Sequence, residues 1–123
     1  EFGSGYGTQM LIEAGYDMFS VEENPSFAGL FHNQYCLAEI TDGWYNTEKV
    51  SSFVKGKSFD AILIDGPAHG ERLKILDSNI NFNDFKIIIV DDIERKEDAE
   101  VFSILSEGKN YKKTETYGVI FND

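Results

Sequence analysis

Cysteine, proline and positive charge are all scarce in this chain: 123 residues hold one Cys, two Pro and eleven Lys plus Arg. Each shortage excludes something. A lone Cys36 cannot close an internal disulfide, which suits a reducing compartment, and a cytoplasmic protein is expected. Its apolar setting, YCLAEI, reads as a buried structural thiol rather than a nucleophile. No apolar run reaches the roughly 18 residues of a membrane-spanning helix, and no secretory pattern is visible, so a membrane is not an expected partner. The 22 acidic residues outnumber the basic ones two to one and give a net charge of −11. Phosphate-backbone binding needs clustered Lys and Arg, so a nucleic-acid partner is not expected either. Repeats, low-complexity tracts and linkers are absent too. The length fits one domain over residues 1–123.

What the chain does contain is alternation. Residues 17–22 (DMFSVE) and 34–40 (QYCLAEI) read as strands, with a helix expected between them over 24–35, capped by Asn24 with Pro25 in its first turn. A short helix is expected over 46–57. Two near-continuous apolar runs follow, FDAILID (59–65) and KIIIVDD (86–92). Such Ile/Val-rich runs predict strands covered on both faces, as in a parallel sheet between helix layers. Residues 70–80 supply a crossover helix, 94–108 a further helix, and 111–121 a closing strand with Gly118 at a bend or hairpin. The fold class predicted is α/β: a doubly wound, mostly parallel, Rossmann-like sheet with an antiparallel C-terminal strand or hairpin.

The first residues, EFGSGYGT, carry Gly3, Gly5 and Gly7 behind Glu1. Glycines spaced this way permit a tight turn and a close approach of backbone to ligand, at the strand ends where such sheets bind. The dinucleotide fingerprint G-x-G-x-x-G is not met, because Thr8 stands where its third glycine belongs. After the turn come SVE, DGWY, FDAILIDGP and IIIVDD, in that order.

This succession resembles class I S-adenosylmethionine-dependent methyltransferases, most closely their small-molecule or glycan O-methyltransferase relatives, over nearly the whole chain. The resemblance implies that Glu1, Gly3, Gly5 and Gly7 surround the methionine part of the cofactor. It puts Glu22 on the ribose hydroxyls, Asp42 near the adenine and Asp65 beside the transferred methyl group. It also implies that the chain lacks a preceding segment and most of the first strand, with strand exchange into a homo-oligomer as one consequence. A Gly-Gly turn common before the fifth strand of the family is replaced here by NFNDFKIII.

Asp65, Asp91 and Asp92 fall at the ends of two strands expected to be neighbours. Three converging carboxylates make a hard oxygen site suited to Mg²⁺, and cation-dependent O-methyltransferases use a similar set to acidify the acceptor hydroxyl. The competing reading makes Asp91 or Asp92 the cap of the following helix. His69, in GPAHGER, is a candidate general base; Arg72 either binds an anionic acceptor or pairs with nearby acids. His32 reads as structural, and Trp44 and Tyr45 either flank an adenine or pack in the core. The expected function is methyl transfer to oxygen of a small molecule or sugar. The rivals are a non-catalytic binding or assembly module and an NAD-dependent enzyme.

Overall fold

The computed structural model of the chain describes residues 1–122. The glycine turn feeds α1 (Tyr6–Glu13), and the strands β1 (Ser20–Glu22) and β2 (Tyr35–Leu37) follow. A tight hairpin, β3 (Ile40–Thr41) and β4 (Trp44–Tyr45), precedes α2 (Thr47–Val54). Then come β5 (Ala61–Ile64), β6 (Ile87–Asp91), α3 (Lys96–Ser106), β7 (Asn110–Lys113) and β8 (Tyr117–Phe121). No helix is long and apolar enough to cross a membrane among the described residues.

The doubly wound, mostly parallel sheet expected from the sequence is not what forms. The largest sheet has four strands in the order β5-β6-β8-β7, and it is mixed. Only β5 and β6 run parallel; β8 is antiparallel to both β6 and β7. Two further sheets have two strands each, the parallel β1-β2 pair and the antiparallel β3-β4 hairpin. The error lay in reading the apolar runs as covered on both faces. Along β6 burial alternates: Ile88 and Val90 are fully enclosed, whereas Ile87 and Ile89 are only half-buried. A continuous apolar run does not distinguish these cases, because a half-covered face still accepts Ile and Val.

Two expected helices are also corrected. Over 24–35 the chain makes turns. Phe27 and Ala28 donate to the Asn24 carbonyl, and Gly29 then takes φ +77°, a left-handed conformation that stops the turn from propagating. Over 70–80 only a 3-10 segment forms, Arg72–Asp77.

One residue stitches the pieces together. Phe2 forms parallel bridges to Val21 of β1 and to Ile64 of β5. Its N–H donates to the Leu63 carbonyl (2.9 Å), and its own carbonyl accepts from Asp65 N–H (2.9 Å). On the other side Gly3 N–H donates to the Val21 carbonyl, and Val21 N–H to the Glu1 carbonyl, both at 2.9 Å. The Phe2 ring packs on Trp44 and Tyr45, with centroids 5.3 and 5.5 Å away. α3 closes the core over β6 and β8, burying Val101, Phe102 and Leu105. Gly118 lies inside β8, not at the hairpin bend: a Cβ there would strike the Phe102 ring. The result places the carboxyl ends of β1 and β5 on either side of the glycine turn.

Candidate functional site

The turn starts where Phe2 ends. Gly3 takes φ +88°, and a Cβ on it would collide with the Asp65 carbonyl oxygen, so the fold itself demands glycine there. Gly5 and Gly7 are different. Gly5 has φ −173°, extended backbone open to any residue, and nothing lies within 4 Å of where a Cβ would stand at either position.

Beneath the turn runs a chain of hydrogen bonds whose directions can be assigned. Gln34 N–H donates to His32 Nδ1 (3.0 Å), so that nitrogen carries no proton and Nε2 does. Nε2–H therefore donates to Ser20 Oγ (2.8 Å), whose own proton goes to Glu1 Oε2 (2.6 Å). Thr8 Oγ1 also donates to Glu1 Oε2 (2.7 Å) and accepts from Gly5 N–H (3.1 Å). Its proton thus committed, Thr8 Oγ1 accepts from Ser4 Oγ (3.1 Å), and Ser4 accepts from the Tyr35 hydroxyl (2.7 Å). Burial holds His32 below its ordinary range, assisted by the N-terminal ammonium and opposed by Asp17. The sequence reading of His32 as structural missed this relay. Its only sequence signal was a histidine shortly before a strand.

Glu22 is buried at the end of β1. Its two oxygens accept from Ser4 N–H (2.9 Å) and Asn24 N–H (2.7 Å), which draws the turn and the following loop around one carboxylate. Each oxygen keeps a lone pair free for a ligand hydroxyl.

On the other side of Gly3 stands the acidic cluster. One carboxylate oxygen from each of Asp65, Asp91 and Asp92 lies within 4.8 Å of the others. Asp92 has φ +56°, and its N–H donates to Asp91 Oδ1 (2.9 Å), so local geometry turns the pair toward Asp65. Burial, then the charges of Asp91 and Asp92, push the Asp65 carboxyl up to about 7 against the pull of Arg72. Arg72 itself is buried, and its Nη1 reaches Asp98 Oδ1 at 2.9 Å and Asp92 Oδ2 at 3.0 Å. Its remaining donors point at the carbonyls of Pro67 and Asp65, both 3.4 Å away. Arg72 thus pairs with acids, the second of its two expected roles. Asp98, on α3, is enclosed, and burial pushes its carboxyl up against the pull of Arg72. The cap reading of Asp91 and Asp92 finds little support, since Arg95 occupies the N-cap of α3. By donor chemistry the cluster offers three hard oxygens that could hold a cation.

The remaining candidates scatter. Asp42, at φ +54°, and Gly43, at φ +86°, make the turn of the β3-β4 hairpin, where left-handed residues match the strand twist. Asp42 is exposed and lines a groove of about 500 Å³ with Thr47 and Lys74. Gly7 sits in the first turn of α1. His69 is 85% exposed, its N–H donating to Glu23 Oε1 (2.9 Å) and its ring Nδ1 3.7 Å from that oxygen. Trp44 and Tyr45 are core residues. The Tyr45 hydroxyl has no hydrogen-bond partner among the described residues, and burial, followed by the charges of Glu22 and Glu23, keeps it protonated far above its usual range. Cys36 is buried, which pushes its thiol up and away from nucleophilic use.

Compared with known protein families, curated proteins and solved structures, the chain finds no match.

Proposed function

We propose that this chain binds S-adenosylmethionine over the Gly3–Gly7 turn and transfers its methyl group to a hydroxyl of a small-molecule or glycan acceptor. The observation that carries the reading is Gly7: Gly5 is the N-cap of α1, where glycine is ordinary, but Gly7 lies inside the helix. Gly3 is required by packing and Gly5 suits the cap, whereas nothing within 4 Å of a Cβ explains Gly7. A glycine within a helix weakens it by up to about 1 kcal/mol relative to alanine. Bare backbone at such a cost, facing open space on the same turn whose Ser4 N–H holds the buried Glu22, favours close approach of a ligand.

Within this reading Glu22 accepts from the ribose hydroxyls, and the relay under the turn fixes the backbone that receives the methionine part. The cofactor supplies an electrophilic methyl carbon on a sulfonium. Without a cation, Asp65, pushed up to about 7, would be a base for the acceptor hydroxyl; a bound cation would take that carboxylate as a ligand and acidify the hydroxyl itself. Asp65, Asp91 and Asp92 would hold a divalent cation such as Mg²⁺, which would stabilise the deprotonated acceptor oxygen. Arg72, already bound to Asp92 Oδ2, would share the same task of charge balance. His69, exposed and paired with Glu23, would contact the acceptor.

Calorimetric titration with S-adenosylhomocysteine tests the proposal. Wild type should bind. Glu22→Ala should lose about 1–3 kcal/mol of affinity, the worth of charge-assisted hydrogen bonds. Gly7→Ala should melt at the same or higher temperature without ligand, yet bind more weakly. No binding by a folded wild-type chain would sink the cofactor assignment.

A further inference from the structure

The relay under the glycine turn can exist only with His32 neutral. A backbone N–H cannot accept, so the Gln34 N–H bond at 3.0 Å requires a bare lone pair on Nδ1. Protonating that nitrogen sets two hydrogens against each other, and the segment from His32 to Gln34 must shift. Two routes carry such a shift to the turn. In the first, His32 Nε2 holds Ser20 Oγ, Ser20 holds Glu1, and Glu1 holds Thr8, the acceptor of Gly5 N–H. In the second, the imidazole stacks on the Tyr35 ring (centroids 4.2 Å apart, 29° between planes), and the Tyr35 hydroxyl holds Ser4 Oγ. Ser4 in turn donates its N–H to Glu22. Both routes end on the residues offered to the ligand.

We propose that His32 is a pH-sensitive latch on the glycine turn: neutral, it holds Ser4 and Gly5 in place; protonated, it releases them and weakens binding there. His32 acts through these neighbours and is a positioning residue. The groups facing it are the Glu1 carboxylate and ammonium, Asp17, and the Tyr35 and Ser20 hydroxyls. Burial favours the neutral form; Asp17 opposes it. With its folded value depressed, the ordered latch is fully present above the ordinary histidine value of about 6.5 and is lost as pH falls through the folded value.

The test uses the whole chain and the non-titrating variant His32→Asn, whose Oδ1 can take the place of Nδ1 as acceptor for Gln34 N–H. Amide NMR between pH 7.5 and 5 should show Ser4 and Gly5 titrating with the same midpoint as the His32 ring in wild type, and staying flat in the variant. Glu1 and Asp17 are common to both proteins, so their contribution subtracts. Should His32→Asn fail to fold, His32→Gln, which keeps a donor toward Ser20, replaces it. The latch is overturned if His32 titrates while the two amides stand still, or if they move equally in the variant. The binding arm rests on the cofactor reading above: affinity for S-adenosylhomocysteine should fall severalfold in wild type as pH drops through the His32 midpoint and stay level in the variant. A level wild-type affinity also overturns the latch. If S-adenosylhomocysteine does not bind at all, the cofactor reading fails, while the amide titration still decides the latch.

Discussion

Two carboxylate centres flank Gly3, and they solve the same problem in opposite ways. At the end of β1, Glu22 is buried alone and neutral donors surround it: two backbone N–H groups satisfy its oxygens. At the ends of β5 and β6, Asp65, Asp91 and Asp92 crowd together and need an actual cation, which Arg72 supplies in part. Backbone donors fix a carboxylate without adding charge, so Glu22 can stay an acceptor for a neutral hydroxyl. Burial first, and then the like charges of Asp91 and Asp92, let Asp65 hold a proton up to about pH 7 despite Arg72. The first arrangement suits recognition; the second suits chemistry that moves a proton or gathers a cation.

Removing the cation should break the comparison most severely. Arg72→Met would leave the enclosed Asp98 with only Arg95, 3.5 Å from its Oδ2, and Asp92 without its partner at 3.0 Å. Breaking a buried ion pair from one side costs about 3–5 kcal/mol, and urea unfolding should show a loss of that order. A loss below about 1 kcal/mol would mean that solvent, not Arg72, balances the cluster.

A smaller effect should follow from Asp65→Asn. The folded value of about 7 stands above the ordinary 3.8, so the folded chain holds a proton that the unfolded chain releases. That contribution is complete below pH 3.8 and is lost as pH rises through 7. The variant should therefore out-melt wild type by a margin that widens from pH 4 to 7 and then levels off. Because 40% of the side chain is exposed, solvent screening will keep the margin modest. A margin independent of pH would remove Asp65 as the titrating group.

The smallest effect belongs to Tyr45, whose ring packs beside Phe2 between the two centres. Since its hydroxyl has no partner among the described residues, Tyr45→Phe should leave stability unchanged or slightly raised. A loss of about 1 kcal/mol or more would show that the hydroxyl is hydrogen-bonded after all, and would tie the two centres through it.

The sequence by itself determined the local matters. Ile and Val runs marked β5 and β6, the glycines marked the turn, and acids at strand ends marked Glu22, Asp65, Asp91 and Asp92, because these signals need only neighbouring residues. It failed where one segment depends on another. The antiparallel C-terminal hairpin was expected and forms, but the mostly parallel doubly wound sheet does not: only β5 and β6 pair in parallel within the four-stranded sheet, which the apolar runs alone do not reveal. The helix over 24–35 yielded to turns once Gly29 took a left-handed conformation and the side chains there found partners elsewhere. Asp42 looked like a ligand acid and serves as a hairpin residue. The tertiary structure alone decided that His32 reaches Ser20 across 12 residues, that Arg72 reaches Asp98 across 26, and that Tyr45 is sealed without a partner. The physical reason is one and the same: a polar group's role is set by what satisfies it, and here the partners come from distant parts of the chain.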